Sequence, residues 1–134
     1  MKKILLIILI LPLSIQLSVA QNLKRANHLY EKRAYLDAAE LFLNEEPKSQ
    51  DVLEKLADSY YFTNNMKEAV LYYKILLQTN ESNVDANYLF RYSQALKGVK
   101  EFKEADIWYQ EYLKRKQIAP AEKQETLPSF EALN

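Results

Sequence analysis

Cysteine is missing from this chain of 134 residues. Its absence removes disulfides, thiolate metal sites, a thiol nucleophile and a cysteine-borne lipid anchor together. Packing alone must hold the fold, which regular helix pairs can do. Glycine occurs once, at Gly98, so there is no glycine-rich loop to cradle a phosphate. A β-rich fold would also need more turn glycines. Histidine occurs once, at His28, with no second His or Cys nearby. That placement suits a surface or rim histidine and gives no basis for a metal site or a His-based triad. Net charge is absent too: 18 basic residues balance 18 acidic ones. No overall positive field would draw nucleic acid or an anionic membrane to the chain, and nucleic acid is not expected as a partner.

What is present suits a folded helical chain. Hydrophobic residues make up 49% and charged residues 27%, with ten Tyr, five Phe and one Trp to fill a modest core. A disordered chain would be poorer in apolar residues. Carboxylates such as Glu45, Glu46 and Asp58 are spaced as on solvated helix faces, and no pair stands out as an acid–base couple. Neither catalysis nor a cofactor is therefore expected. The tyrosine pairs Tyr60–Tyr61 and Tyr72–Tyr73 fit packing between repeats better than base stacking. Asn80–Glu81–Ser82 is formally an N-glycosylation triplet, without meaning in a bacterial protein.

The N-terminus reads as an export signal. Lys2 and Lys3 precede an apolar run from Ile4 to Leu17, and Ser18 and Ala20 are spaced for a signal peptidase cutting before Gln21. The run is shorter than the roughly 18 residues expected of a membrane span. A mature chain of residues 21–134 would carry 16 basic and 18 acidic residues, a net charge of −2 that selects no partner. The expected location is the periplasm or an association with an outer membrane.

One pattern then appears three times. Tyr35–Leu36–Asp37–Ala38, Met66–Lys67–Glu68–Ala69 and Phe102–Lys103–Glu104–Ala105 start 31 and 36 residues apart. Four residues after each alanine comes an aromatic: Phe42, Tyr73 and Tyr109. Twelve residues before each alanine sits another small residue, Ala26, Ala57 or Ser93, followed three positions on by Leu29, Tyr60 or Leu96. Paired small residues let two helices of a hairpin cross at about 8–10 Å, while large residues one turn away pack on the next hairpin. A single hairpin cannot bury its apolar face; stacked neighbours complete the core. The resulting map places helices over 22–33, 36–45, 49–62, 66–78, 84–97 and 101–116. Asn64–Asn65, the stretch 80–83 and Gly98 supply the turns, with Gly98 expected as a left-handed cap. Pro120 suits the first turn of a partial capping helix within 120–134, which Pro128 should break or bend; a frayed tail is the alternative. If Tyr73 and Tyr109 are buried, truncating either to Ala should cost about 3–5 kcal/mol.

These residues resemble the tetratricopeptide-repeat (TPR) signature, whose period is about 34 residues. The second copy carries Leu53, Leu56, Ala57 and Tyr60, then Ala69 and Tyr73; the third carries Leu89, Tyr92, Ser93 and Leu96, then Ala105 and Tyr109. The first has Ala26, Leu29, Ala38 and Phe42, but Asn22 and Arg25 stand where apolar residues are usual, at an end that no earlier repeat covers. The closing Pro is missing from its usual place in the second and third copies. The resemblance implies an all-α fold of antiparallel helix hairpins stacked as a short TPR superhelix of about three repeats. Its divisions would be 1–20 signal, 21–48, 49–83 and 84–119 repeats, and 120–134 cap. It also implies a non-catalytic interaction module that takes an extended peptide or a partner helix in a concave groove lined by the first helix of each hairpin. By repeat register that groove receives Asn27 and Tyr30, then Glu54, Asp58 and Tyr61, then Asn87, Phe90, Arg91 and Gln94. The polar members suit a peptide backbone or carboxylate, and Tyr61 and Phe90 suit apolar contact.

A narrower resemblance concerns the segment around Ala20–Gln21–Asn22, residues 34–39, Lys55 to Tyr61, and Phe90 to Lys97. Together these are similar to the N-terminal TPR region of OmpA-family envelope proteins of Bacteroidetes-type bacteria, some associated with type IX secretion and gliding. That implies a partner among envelope or secretion components. In those proteins a β-propeller and a peptidoglycan-binding domain follow the repeats. Neither lies within the residues up to Asn134, so peptidoglycan binding is not implied. The expectation is an adaptor, with a truncated or self-associating structural fragment as the alternative.

Overall fold

A computed structural model describes residues 20–118. The export signal and the cap expected over 120–134 lie outside the described residues. Among the described residues six α-helices follow one another: α1 over 20–31, α2 Tyr35–Leu43, α3 Gln50–Phe62, α4 Met66–Asn80, α5 Ala86–Gly98 and α6 Phe102–Ile118. A short 3₁₀ turn, Glu81–Asn83, joins α4 to α5. The fold is all-α. None of these helices is long and apolar enough to cross a membrane.

The helices pair because the turns inside the pairs are short and identically built. The last turns of α1, α3 and α5 each end on a left-handed residue: Arg33 at φ 61°, Asn64 at φ 62° and Lys100 at φ 68°. In each, the left-handed residue's N–H bonds back three residues, and the next N–H bonds back five. The pairs are Arg33 to Tyr30 and Ala34 to Leu29, Asn64 to Tyr61 and Asn65 to Tyr60, and Lys100 to Lys97 and Glu101 to Leu96. This is the Schellman closure, which satisfies carbonyls that a helix end would otherwise leave unpaired. The chain therefore reverses into three antiparallel hairpins, α1–α2, α3–α4 and α5–α6.

Gly98 does not take the left-handed position expected of it. It lies inside α5 with ordinary helical geometry, and Lys100 bends the chain instead. The glycine answers a steric need: a Cβ there would stand 2.7 Å from Cγ of Met66, where α5 passes the start of α4.

The connections between hairpins use polar groups. Ser49 caps α3 by accepting the Val52 N–H, and Asp85 caps α5 by accepting the Asn87 N–H at 2.8 Å. Between α2 and α3 the Lys48 ammonium donates to the carbonyls of Leu43 and Glu45 at 3.0 and 2.9 Å, and to Glu46 Oε1 at 2.6 Å. Between α4 and α5 the brace comes from farther along the chain. Arg115 of α6 donates through Nη1 to the carbonyls of Glu81 and Val84, at 2.9 and 3.2 Å.

All six small residues expected at the crossings are fully buried: Ala26, Ala38, Ala57, Ala69, Ser93 and Ala105. Ser93 avoids an orphaned hydroxyl by donating to the Phe90 carbonyl at 2.7 Å. Around these crossings the core forms two clusters. One holds Ala26, Ala38, Phe42, Val52 and Leu56; the larger is centred on Tyr73, Leu76, Leu89, Tyr92 and Leu96. Tyr60 and Tyr72, stacked at 5.7 Å, pack against both. Asn22 and Arg25 are exposed, in keeping with an uncovered end of the first hairpin.

Tyr73 is fully buried, but Tyr109 is only half-buried. Among the described residues nothing packs beyond α6, so Tyr109 lies at the edge against Phe90 and Tyr112. Its truncation should cost about 1–2 kcal/mol, less than the full-burial figure.

Candidate protein-binding face

The first helices of the hairpins, α1, α3 and α5, lie side by side; α3 touches α5 directly. Helical spacing puts Glu54, Asp58 and Tyr61 on one flank of α3, and Asn87, Arg91 and Gln94 on one flank of α5. What joins these flanks is a single carboxylate. Asp58 is only 2% exposed. Its Oδ2 accepts the Tyr30 hydroxyl of α1 at 3.1 Å and Arg91 Nη1 of α5 at 2.6 Å, while Oδ1 accepts the Tyr73 hydroxyl of α4 at 2.6 Å. One side chain thus ties together helices from all three hairpins.

The burial of Asp58 overturns the expectation that it lines an open groove as a free contact. A buried carboxylate is costly unless paired and hydrogen-bonded, and here it is both. Burial pushes the Tyr73 phenol well above the usual tyrosine range, and the Asp58 charge and hydrogen bond push it further. Tyr30 is raised by the same causes in the same order. Both phenols therefore remain protonated donors at physiological pH.

Arg91 is held on three sides. Its charge pairs with Asp58, and its guanidinium lies 5.2 Å from the Phe62 ring centre and 5.4 Å from that of Tyr88. Cation–π contact and the ion pair fix its plane, yet 29% of the side chain stays accessible. Beside it runs an aromatic row in which Tyr30 meets Tyr35 at 5.4 Å and Tyr35 meets Phe62 at 5.1 Å.

The other expected groove residues divide. Glu54 accepts Gln50 Nε2 at 2.8 Å and the Tyr88 hydroxyl at 3.3 Å, and Asn27 Oδ1 accepts Lys55 Nζ at 2.7 Å. Both are occupied in stitching neighbouring first helices. Tyr61 is half-buried, edge-on to Phe62 and Tyr73. Asn87 is exposed and Gln94 half-buried, which leaves them with Arg91 as the accessible polar groups of this flank of α5. Phe90, three residues after Asn87 and four before Gln94, lies near the same flank with an exposed ring, which also packs 5.3 Å from Tyr112 and 6.3 Å from Tyr109 of α6.

Sequence reasoning missed Lys55, Phe62, Tyr73 and Tyr88 as members of this network. A usable signal existed, since the bonded pairs lie about one repeat apart: 28 residues for Tyr30 and Asp58, 33 for Asp58 and Arg91, 34 for Glu54 and Tyr88. Among the described residues no group of three or more His, Cys, Asp and Glu could hold a metal ion. Compared with known protein families and with curated proteins, the sequence finds no match in either.

Proposed function

We propose that this chain is a non-catalytic interaction module of TPR type, exported to the bacterial cell envelope, which binds a protein or peptide partner across α1, α3 and α5. The observation that carries this reading is Arg91: a guanidinium preorganised by Asp58, Phe62 and Tyr88, with part of its surface left accessible. A fixed cation beside exposed Phe62 suits a partner carboxylate flanked by an apolar group, at little ordering cost. The resemblance to OmpA-family envelope proteins supports a partner among outer-membrane or secretion components.

The test uses residues of this face that hold up nothing else. Proteins cross-linked to the wild-type chain in envelope preparations are compared with those cross-linked to an Asn87→Glu/Gln94→Glu variant and to a back-face control, Lys67→Glu. Loss of a specific partner from the first variant alone is expected. Identical recovery by all three would refute the assignment of this face. Export is tested separately by the mass of the mature protein, expected to begin at Gln21.

A second reading, self-association, draws on Phe102 and Ile107, which are 63% and 66% exposed on α6. Sedimentation over a wide concentration range tests it; a monomer throughout would remove it.

A further inference from the structure

Where α4, α5 and α6 meet there is a cavity of about 150 Å³, none of whose lining residues belongs to the α1–α3–α5 set described above. Its wall is apolar and aromatic: Leu77 from α4, Tyr92 from α5 and Trp108 from α6, the two rings 5.4 Å apart. Glu104 and Glu81 also line it. Glu104 Oε1 accepts the Tyr92 hydroxyl at 3.3 Å, which aims the carboxylate along the ring. Among the described residues Glu104 has no ion-pair partner, and Glu81 meets only Arg115, at 3.5 Å. Lys74 stands at the cavity too, but it is exposed and forms no ion pair.

We propose that this cavity binds a primary alkylammonium group, as presented by a lysine side chain of a partner protein, independently of the α1–α3–α5 face. Two features decide the ligand class. The apolar wall matches a methylene stem, and an indole face is the strongest cation–π surface among the side chains. Charge points the same way through one group: Glu81 already meets Arg115, but Glu104, without an ion-pair partner among the described residues, offers a carboxylate to a cation. A butyl chain with its ammonium fits a space of this size, so one side chain is the natural occupant.

Trp108 is the only tryptophan of the chain and lines this cavity, so its fluorescence follows occupancy there. The Glu104 and Lys74 variants below separate that from binding at the neighbouring cleft that Trp108 also borders. The whole chain is titrated with Nα-acetyl-lysine amide and, separately, with Nα-acetyl-norleucine amide, which keeps the four-carbon stem and lacks the amine. Saturable change is expected with the lysine probe at about millimolar affinity, the range for so small a ligand. The norleucine probe should give none over the same range. Glu104→Gln, which keeps an acceptor for Tyr92, should weaken lysine binding about tenfold, as expected for losing about 1.4 kcal/mol. Lys74→Met should tighten it several-fold. A folding defect cannot move affinity in both directions, so the pair separates charge recognition from damage. No saturation with the lysine probe, an equal response to both probes, or the same affinity in Glu104→Gln would each overturn the proposal.

Discussion

Replacing Asp58 with Ala tests the construction of the whole stack, because its loss strands three donors at once. Arg91 would keep its charge against Phe62 and Tyr88 without a counter-ion. Breaking a buried pair in this way costs about 3–5 kcal/mol. Arg91 is partly accessible, so water recovers some of that loss and the lower end applies. The Tyr73 hydroxyl, in a fully buried residue, loses its acceptor for about another 1–3 kcal/mol. Tyr30 is half-buried and can turn to water. The sum is about 4–6 kcal/mol, against a total stability of about 5–15 kcal/mol for a domain of this kind. Asp58→Ala should accordingly sit at or past the edge of folding, with Asp58→Asn intermediate, since its amide oxygen can still accept from Tyr73. Equilibrium urea unfolding, followed by helical circular dichroism, measures both. A double-mutant cycle with Arg91→Met should return a coupling of about 1.5–3 kcal/mol, because removing both charges leaves neither stranded. A cost below about 1 kcal/mol for Asp58→Ala, or a coupling near zero, would refute the view that this carboxylate locks the hairpins together.

Three further outcomes follow from the same coordinates. Lys100→Gly should stabilise the chain by about 0.5–1 kcal/mol, because glycine relieves the left-handed strain at φ 68°; thermal unfolding measures it. Gly98→Ala should lower stability by about 1 kcal/mol despite alanine's better helix propensity, since the new Cβ meets Met66 at 2.7 Å. The same change made in a Met66→Ala background should be neutral or stabilising. In alkali the raised phenols of Tyr30, Tyr73 and Tyr88 stay protonated in the folded chain while their unfolded counterparts ionise near the ordinary value of 10.0. Their contribution is therefore complete below that pH and declines above it, so stability should be flat to about pH 10 and then fall. Phenolate absorbance should show part of the tyrosines ionising together with unfolding, and smooth independent titration of all of them would contradict this.

Helix positions and crossings were legible because they depend on period and size alone. A small residue at both 57 and 69 leaves one way to pack a hairpin, and those positions are fully buried. Helix ends were read to within a few residues, but not the residue that takes the left-handed turn after α5: nothing in a lysine at position 100 announces positive φ, whereas the glycine two residues earlier does. The face on α1, α3 and α5 was legible as a set of positions but not as a state of charge. Asp58 reads like any solvated acid because its burial depends on partners 28 and 33 residues away, which only the docking of hairpins brings close. The contacts of Phe90 with Tyr109 and Tyr112 were not legible either, because those rings come from α6.

The two connections between hairpins differ in when they can be secured. Lys48 reaches only residues within five positions of itself, so the elbow after α2 sets as soon as that stretch of chain exists. The elbow after α4 depends on Arg115, more than thirty residues downstream. A chain emerging from its N-terminus would thus lock its first joint early and keep the second slack until the last helix arrives. The final helix serves as a keystone for the joint between the second and third hairpins, a closure that the first joint does not need.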